Sequence, residues 1–550
     1  MQNGFLPFSQ PIRSFAKFFS LFSLCFLLVV GCNSNQSATN VDSETASSSD
    51  RVTVGMTIRP RTLDPADSYE IAGLNAIYNL GDTLYTYEPG TTELMPLLAT
   101  EMPTVSEDGL TYTIPLREGV VFHDGTDFNA EAMAFSLQRF MENGGKPSFL
   151  LSDVVDNVEA TGDDELTIQL KQPFAAFPSL LAFTGTAAVS PEAYTIGAGE
   201  FSPNIFVGTG PYKLAEFSSD SLQFEPFEDY WGEEPRNSGV DMQIYGDNSA
   251  NLFNAFRTGA VDIAYQSLDP DQMKTLLEGT ENEEWQAIEA PGTAVNFLVL
   301  NRQQPPLDQL EVRQAIASIM NRALLRDRVF QGQADPLYSL IPTAFEVSEP
   351  TFEAAYGDAN PEKAEELLTE AGFSADNPVM VEIWYPSSST PRSLTASTLK
   401  AYAEQELGGI IQFEPKAVEG ATFFKNIADG IYPAALSNWY PDYLDADNFI
   451  QPLLSCTEGS TAGGCIEGSA QNQGSFYYSD RMNELISAQR QESDPAAREA
   501  IFTEIQGLLA EDVPYVPLWQ NKEYVFVQNN LEGVMLNPAQ SIPFWRIEKS

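Results

Sequence analysis

The sequence predicts an α/β fold of the mixed α+β kind, because two kinds of apolar periodicity alternate along the chain. Short runs with an apolar residue at every second position predict strands, and longer runs with capping residues and an apolar stripe predict helices. The chain has 550 residues, of which 43% are hydrophobic. A globular chain of this length divides into more than one domain.

Three strands are predicted in the N-terminal half. Apolar and polar residues alternate along Val52 to Ile58, Tyr112 to Leu116 and Leu166 to Leu170. This alternation is typical of a strand with one buried face. Turn-forming residues precede the second and third strands, at Ser106 to Gly109 and Gly162 to Asp164.

Four helices are predicted from capping residues that precede apolar stripes. Asn129 caps the first, which ends near Gly144, and Asp308 with Glu311 resembles a capping box for the second. Asn360-Pro361 and Asp494-Pro495 open the other two, and Gly372 is placed for a left-handed C-terminal cap. The stripes are Met133, Leu137, Phe140 and Met141; Val312, Ala315, Ile316, Ile319, Ala323 and Leu324; Ala364, Leu367, Leu368 and Ala371; and Ile501, Ile505, Leu508 and Leu509.

The N-terminus predicts export. Arg13 and Lys17 precede an apolar run that is too short for a confident membrane span, as in a cleaved signal peptide over residues 1–31. Val29-Val30-Gly31-Cys32 resembles a bacterial lipobox, which implies that Cys32 carries the lipid anchor; an ordinary signal peptide is the alternative. Residues 32–50 are rich in Ser, Thr and Asn and are expected to form a flexible tether. We expect the protein on the outer face of the cytoplasmic membrane or in the periplasm.

The net charge of -48 argues against a nucleic-acid partner. Affinity for phosphates comes largely from Lys and Arg, and this chain has only 29 of them against 77 acidic residues. The acids are spread along the chain, which is typical of a solvated surface. Attraction of cationic ligands is a second interpretation of the same charge.

Two cysteines remain after Cys25 in the leader and Cys32 at the anchor. Cys456 and Cys465 flank a flexible Gly- and Ser-containing loop. An exported protein meets oxidising conditions, so we expect a disulfide between them. A metal pair or a redox pair is less favoured, because neither nearby histidines nor a CxxC spacing is present.

The sequence offers little catalytic machinery, and we expect a protein that is not an enzyme and uses no cofactor or metal. His123 is the only histidine, and no GxSxG sequence accompanies it. No HExxH or P-loop sequence is present either. A pair of carboxylates of the glycosidase kind stays open, because 77 acidic residues make such pairs uninformative.

Eight segments resemble the family 5 extracellular solute-binding proteins of ABC transporters, the dipeptide- and oligopeptide-binding group. They occur in the family's order across the mature chain. They are Arg61 to Pro65, Asp108 to Thr113, Leu116 to Gly125, Gly208 to Tyr212, Tyr230 to Gly232, Asn301 to Pro306, Val312 to Ile316 and Leu367 to Gly372.

The resemblance implies a two-lobed periplasmic-binding-protein-like fold of class II with an inserted domain, closing on its ligand by a hinge motion. The expected first lobe comprises residues 51–95, 205–295 and 517–550. The inserted domain is expected over 96–204 and the second lobe over 296–516, with crossing strands near Asn296 to Asn301 and Val513 to Trp519. The implied partners are a peptide or other small solute and the permease and ATPase of an importer, with the protein itself a monomer.

The resemblance also locates a ligand site. The segment from Asn438 to Phe449 is similar to a stretch in which peptide-binding members use an aspartate to hold the peptide's α-ammonium. This role falls on Asp442, with Trp439 and Tyr443 as apolar walls. Asp445 and Asp447 are close enough to compete for it, and a turn cap is the structural alternative for Asp442.

Other functions stay open at this point. An oligosaccharide or a metal chelate could replace the peptide in the same fold. A secreted hydrolase and a sensor or chaperone-like binding module are the alternatives from other classes.

Overall fold

The structure is a computed structural model that describes residues 50–246, 248–265 and 268–550. The predicted leader, Cys32 and the predicted tether apart from Asp50 lie outside the described residues. The described residues form one compact unit. Within the described ranges, no helix combines the length and the apolar character needed to cross a membrane.

The strands are named in chain order. They are β1 Val52–Met56, β2 Tyr85–Tyr87, β3 Leu94–Pro96, β4 Thr104–Val105, β5 Thr111–Pro115, β6 Val155–Ala160, β7 Glu165–Leu170, β8 Tyr212–Phe217, β9 Ser221–Pro226, β10 Val240–Ile244, β11 Ile263–Tyr265, β12 Gln286–Leu300, β13 Ala334–Pro336, β14 Val379–Pro386, β15 Ile411–Val418, β16 Ala434–Trp439, β17 Glu458–Ser460, β18 Gly464–Glu467, β19 Tyr515–Val527, β20 Leu531–Glu532 and β21 Glu548–Lys549.

The α-helices are named in the same way. They are α1 Ile71–Leu80, α2 Ala130–Glu142, α3 Phe149–Ser152, α4 Phe177–Leu180, α5 Ser249–Arg257, α6 Pro270–Glu281, α7 Leu310–Ile319, α8 Arg322–Arg328, α9 Thr351–Tyr356, α10 Pro361–Glu370, α11 Thr390–Leu407, α12 Gly420–Ala428, α13 Gln451–Leu454, α14 Ser469–Asn472, α15 Asp480–Gln491 and α16 Pro495–Asp512.

One mixed sheet runs through most of the molecule. Its strand order is β15-β14-β16-β12-β19-β11-β1-β10-β9-β8, and β13 pairs with β19 beside this path. β1 lies parallel to β10 and β11, whereas β12 is antiparallel to β16 and β19. A separate sheet with the order β4-β5-β7-β6 carries the helix α2.

Three main hydrophobic cores are built on these sheets. The first core includes Val54, Tyr212, Phe224, Ile263 and Val525. The second core, on the separate sheet, includes Tyr112, Met133, Phe140, Ile168 and Leu180. The third core includes Phe297, Ile316, Ile383, Leu436 and Tyr515.

The chain enters and leaves the second core at one place. The backbone N–H of Ala188 donates a hydrogen bond to the Asp82 carbonyl at 2.9 Å. The members of this core between these two points are local in sequence, from Leu84 to Ala188, and Tyr443 is added from a distant segment.

β12 and β19 connect the first core to the third. They pair from Gln286 opposite Val527 to Val299 opposite Tyr515, and the register shifts between Pro291 and Val295. Ala290 belongs to the first core and Val295 to the third, so the irregularity lies where the strands change cores. A Cβ on Gly292 would lie 1.9 Å from the Asn521 carbonyl oxygen, so only glycine fits this approach.

Most predicted elements are confirmed. The three predicted strands correspond to β1, β5 and β7. The side chains of Asn129, Asn360 and Asp494 accept the expected capping hydrogen bonds at the starts of α2, α10 and α16. Gly372 follows the C-cap residue Ala371 of α10 and has a positive φ of 87°.

Two predicted details are wrong. The helix expected from Asp308 begins at Leu310 without a side-chain cap and ends at Ile319. Asn321 accepts a hydrogen bond from the Leu324 backbone and starts a new helix, so Ala323 is exposed instead of extending the stripe. The first strand ends at Met56, and the Ile58 side chain is 49% exposed.

A buried ion pair joins the segment before α1 to the second core. The guanidinium of Arg139 on α2 donates two hydrogen bonds of 2.7 Å to the Asp64 carboxylate, and both side chains are at most 1% exposed. Asp64 also accepts from the Ser202 backbone, at 2.6 Å. Both charges are satisfied only while these segments stay together.

Replacing Arg139 should therefore destabilise the fold strongly. Arg139→Met leaves the Asp64 carboxylate buried without a cation, and we expect the free energy of unfolding in urea to fall by about 3–5 kcal/mol. Arg481→Met is the control: Arg481 pairs with Glu504 through side chains that are more than half exposed, and its loss should cost less than about 1 kcal/mol. Equal losses in the two variants would contradict this assignment.

Candidate ligand-binding site

A cavity of about 550 Å³ lies where β12 and β19 pass between the first and third cores. The helix α1 packs on the first core and supplies Ile71 and Ala72 to its wall. Phe330 and Trp519, which belong to the third core, line the cavity as well. The exposed Ile58 side chain also faces this space. We call it the large cavity.

Glu523 on β19 lines the large cavity. Its carboxylate accepts a long hydrogen bond of 3.4 Å from the Gln540 amide, and no Lys or Arg pairs with it among the described residues. Burial raises the pKa of its carboxyl from 4.5 to about 7. The site therefore holds a carboxylate whose charge is poorly compensated by the protein.

Arg392 lies in the first turn of α11 and lines the same cavity. One of its terminal nitrogens donates a hydrogen bond to the Asn438 side-chain oxygen. Its Nε is buried and has no hydrogen-bond partner. Because burial disfavours the charged form, it lowers the pKa of this guanidinium. An acceptor from outside the described residues would satisfy the free donor.

Asp442 lines a second, smaller cavity of about 90 Å³. Ile71, Tyr440 and Gln540 line both cavities, so the two spaces adjoin. The Tyr69 hydroxyl donates to the Asp442 carboxylate, and burial raises the pKa of this carboxyl. No cation pairs with Asp442 in the part of the chain that the structure describes.

The neighbouring acids are engaged elsewhere. Asp445 accepts two hydrogen bonds from the Arg498 guanidinium, at 2.7 and 2.8 Å. Asp447 is fully buried, accepts from the Tyr443 hydroxyl at 2.8 Å and lies 3.5 Å from the Arg490 guanidinium. Of the three acids near Trp439, Asp442 is thus the one without an arginine partner.

The two aromatic residues of the predicted site have different surroundings. Tyr443 is buried, lines the small cavity and contacts Phe174 edge to face at 6.0 Å. Trp439 is half-buried, and its Nε1 donates to Asn448 at 3.1 Å. Asn448 also accepts from the Asp442 backbone at 2.8 Å, so it fixes both residues. Trp439 is not among the described residues that line either cavity.

The family model of the bacterial extracellular solute-binding proteins, family 5 Middle, matches residues 93–461, which is more than half of the chain. The chain belongs to this family. Curated relatives match most of the chain. The glutathione-binding protein GsiB of Escherichia coli (strain K12) is 28% identical over 494 residues, covering 88% of this chain and 91% of the relative.

Solved structures share the fold of this family 5 protein. HbpA2 from Haemophilus parasuis has a TM-score of 0.78 and 22% identity, covering 91% of this chain and 100% of that chain. The ABC transporter-associated periplasmic binding protein DppA from Helicobacter pylori, in complex with the peptide STSA, has a TM-score of 0.71 and 25% identity. It covers 90% of this chain and 98% of its own.

Two family-like segments of this family 5 protein converge on one buried carboxylate. Asp82 accepts hydrogen bonds from the Thr209 hydroxyl at 2.9 Å, the Trp231 indole at 3.0 Å and the Tyr230 hydroxyl at 3.3 Å. Burial raises the pKa of Asp82 to about 6. The Gly-Thr-Gly-Pro-Tyr and Tyr-Trp-Gly segments therefore secure the fold at the point where the chain enters the second core.

The residues considered for catalysis or a disulfide lie apart from the cavities. His123 accepts a hydrogen bond from the Gly208 backbone at 3.3 Å and contacts the Gly210 carbonyl at 3.1 Å. Burial lowers its pKa to about 4. Cys456 and Cys465 form a disulfide beside the β17–β18 hairpin, with 5.7 Å between their Cα atoms.

Sequence reasoning missed Glu523, Arg392 and Tyr69. A usable indication was present for Glu523, because the polar run Gln520 to Glu523 interrupts an otherwise apolar strand. Such an interruption indicates that the strand leaves one core and faces a cavity before it enters the next. Arg392 and Tyr69 carry no such pattern, since only the packing of α11 and α1 brings them to the cavities.

Glu523 should make the stability of the protein depend on pH. The folded state favours its protonated form, so its contribution is present below pH 4.5 and is lost as the pH rises through about 7. Glu523→Gln removes this loss. We expect the free energy of unfolding of Glu523→Gln, minus that of the parent protein, to increase by about 1–2 kcal/mol from pH 5 to pH 8. This figure allows for solvent in the cavity.

Comparison with the parent protein at each pH cancels the contribution of Asp82, which titrates in both. Glu118→Gln changes the net charge equally at an exposed position and serves as the control. A Glu523→Gln difference that is the same at pH 5 and pH 8 would contradict the burial argument.

Proposed function

We propose that this family 5 protein binds a peptide in the large cavity and delivers it to the permease and ATPase of an ABC importer. The observation that carries this proposal is the charge of the two adjoining cavities. They hold acids without protein cations, Asp442 and Glu523, and an arginine with a free buried donor, Arg392. A zwitterion complements both kinds of group.

Asp442 is the proposed anchor for the peptide's α-ammonium. A carboxylate that is removed from water needs an opposite charge. Among the described residues, the Asp442 side chain has only neutral hydrogen-bond partners, the Tyr69 hydroxyl and the Asn448 amide. An ammonium group entering from the large cavity would supply this charge. Asp445 and Asp447 are not proposed for this role, because arginine side chains already supply the opposite charge to both.

Arg392 is the proposed anchor for the peptide's carboxylate. Its guanidinium offers a donor that faces no acceptor, and charged hydrogen bonds of this kind are stronger than neutral ones. The named ligands of similar proteins agree with a peptide: GsiB is named for glutathione, and the DppA structure is a complex with the peptide STSA. Anchors at both ends would leave the side chains free to vary.

We infer that the binding cycle uses two lobes and an inserted domain. The proposed boundaries are 51–95, 205–295 and 517–550 for the first lobe, 96–204 for the inserted domain and 296–516 for the second lobe. The three cores support a division into three parts, but their edges differ from these boundaries, because the second core begins at Leu84 and the third includes Trp519. The proposed hinge is the register shift of β12 before Val295. A ligand that contacts both lobes would favour the closed form.

The two ends of the peptide should respond to different variants. Asp442→Asn should weaken binding of a free tripeptide by about 2–4 kcal/mol, and much less when the peptide's amine is acetylated. Arg392→Gln should also weaken binding of the free tripeptide. Amidation of the peptide's carboxylate should reduce this loss, and acetylation of its amine should not. Isothermal titration calorimetry of the parent protein and both variants, each with the free, the acetylated and the amidated peptide, measures both couplings, and each variant is the control for the other. Equal losses for free and capped peptides would refute the two anchors.

We also propose that a lipid on Cys32 anchors the protein to the membrane. The apolar leader and the lipobox-like sequence before Cys32 support this, and acyl chains contribute about 0.8 kcal/mol per buried methylene. Cys32→Ser, produced with its own leader in a bacterial host, should move from the membrane fraction to the soluble exported fraction. Cys25→Ser, within the leader, should remain membrane-bound. Membrane retention of Cys32→Ser would contradict the anchor.

A further inference from the structure

We propose that Glu523 is a second anchor for positive charge, which makes the large cavity selective for peptides with a basic side chain. This inference rests on the proposed peptide function and specifies its substrate class. Two anchors at the ends of a peptide need only one acid and one arginine. Glu523 is a further carboxylate in the same space, and the terminal groups of the peptide leave it unmatched.

Among the described residues, no Lys or Arg forms an ion pair with the Glu523 carboxylate. Its neighbour Lys522 also lines the cavity, but this ammonium lies 2.8 Å from the Glu289 carboxylate and 3.9 Å from that of Asp335. The contact with the Gln540 amide, at 3.4 Å, is long for a hydrogen bond. Lys522 is therefore held by other acids, and Glu523 faces the cavity almost alone.

Other acids in comparable positions have partners. Glu70 lines the same cavity, but it is paired with Arg61 at 2.9 Å and Lys146 at 3.0 Å. Asp82 is more deeply buried and accepts three hydrogen bonds from side chains. A carboxylate used only for packing is expected to have such partners, because an unpaired buried charge destabilises the fold. Glu523 is half-buried and has only the long contact with the Gln540 amide, which points to a ligand.

The cavity wall suits a long basic side chain. Phe330 and Trp519 lie together with ring centroids 4.6 Å apart, and Tyr440 and Phe526 also line the space. Aromatic rings can pack against the methylene stem of a lysine or arginine and attract its charge through their faces. The net charge of -48 also favours the approach of cationic ligands at low salt.

A series of matched peptides tests the inference. The peptides are tri-alanine with lysine at position 1, 2 or 3, and the same three with norleucine, which keeps the stem and lacks the charge. Affinities are measured by calorimetry at pH 8, where the Glu523 carboxyl is ionised. The proteins are the full chain, Glu523→Gln and the exposed control Glu118→Gln, with folding of each checked by thermal unfolding.

We expect the parent protein and Glu118→Gln to prefer lysine over norleucine by about tenfold at one position at least, and Glu523→Gln to lose this preference. The inference is overturned if Glu523→Gln weakens the binding of lysine and norleucine peptides equally. That result is expected if Glu523 has a structural role, or if it contacts Arg392 in the closed form of the protein. The inference is overturned equally if the preference is absent or survives in Glu523→Gln. A parent protein that binds no peptide of the series would instead reject the peptide function itself.

Discussion

The pairing of β12 with β19 is the constraint on which the rest of the structure depends. These are the strands that carry the sheet from the first core to the third, so their backbone hydrogen bonds determine where the two cores lie. The close approach at Gly292 and the register shift beside it lie between the cores. The large cavity opens at the same place, so one backbone arrangement sets both its width and the position of Glu523.

Two kinds of acid in this protein differ in their partners. The acids that are paired with arginine hold segments together, as Asp64 does with Arg139 and Asp445 with Arg498. Asp442 and Glu523, which face the cavities, have no Lys or Arg partner among the described residues and have raised pKa values. Leaving them unmatched reduces the stability of the empty protein, and a ligand that supplies the missing charge recovers that free energy on binding.

The sequence predicted the elements well where a local rule decides them. Asn129, Asn360 and Asp494 cap their helices because the cap is a contact within one turn. The same local reasoning failed for the helix predicted from Asp308, which begins at Leu310 without a side-chain cap. At its other end, Asn321 caps a new helix, so that Leu325 and not Ala323 or Leu324 lies in the third core. The site was harder to predict. Asp442 was predicted from the family resemblance, whereas Arg392 belongs to the site only because distant segments pack around it. For Glu523 the polar run from Gln520 to Glu523 indicated a cavity beside the strand, but the sequence did not show which segments surround it.

The hydrogen bond between Ala188 and the Asp82 carbonyl has a consequence for how such a chain can change over evolution. The roughly hundred residues between these positions leave and return at neighbouring points, so a longer, shorter or unrelated module could occupy the place without rerouting the main sheet. A replacement module would have to form equivalent contacts to those of Asp82 and of Arg139 with Asp64. Recombination can thus replace the segment between Asp82 and Ala188 while β12 and β19, the strands beside the large cavity, are unchanged.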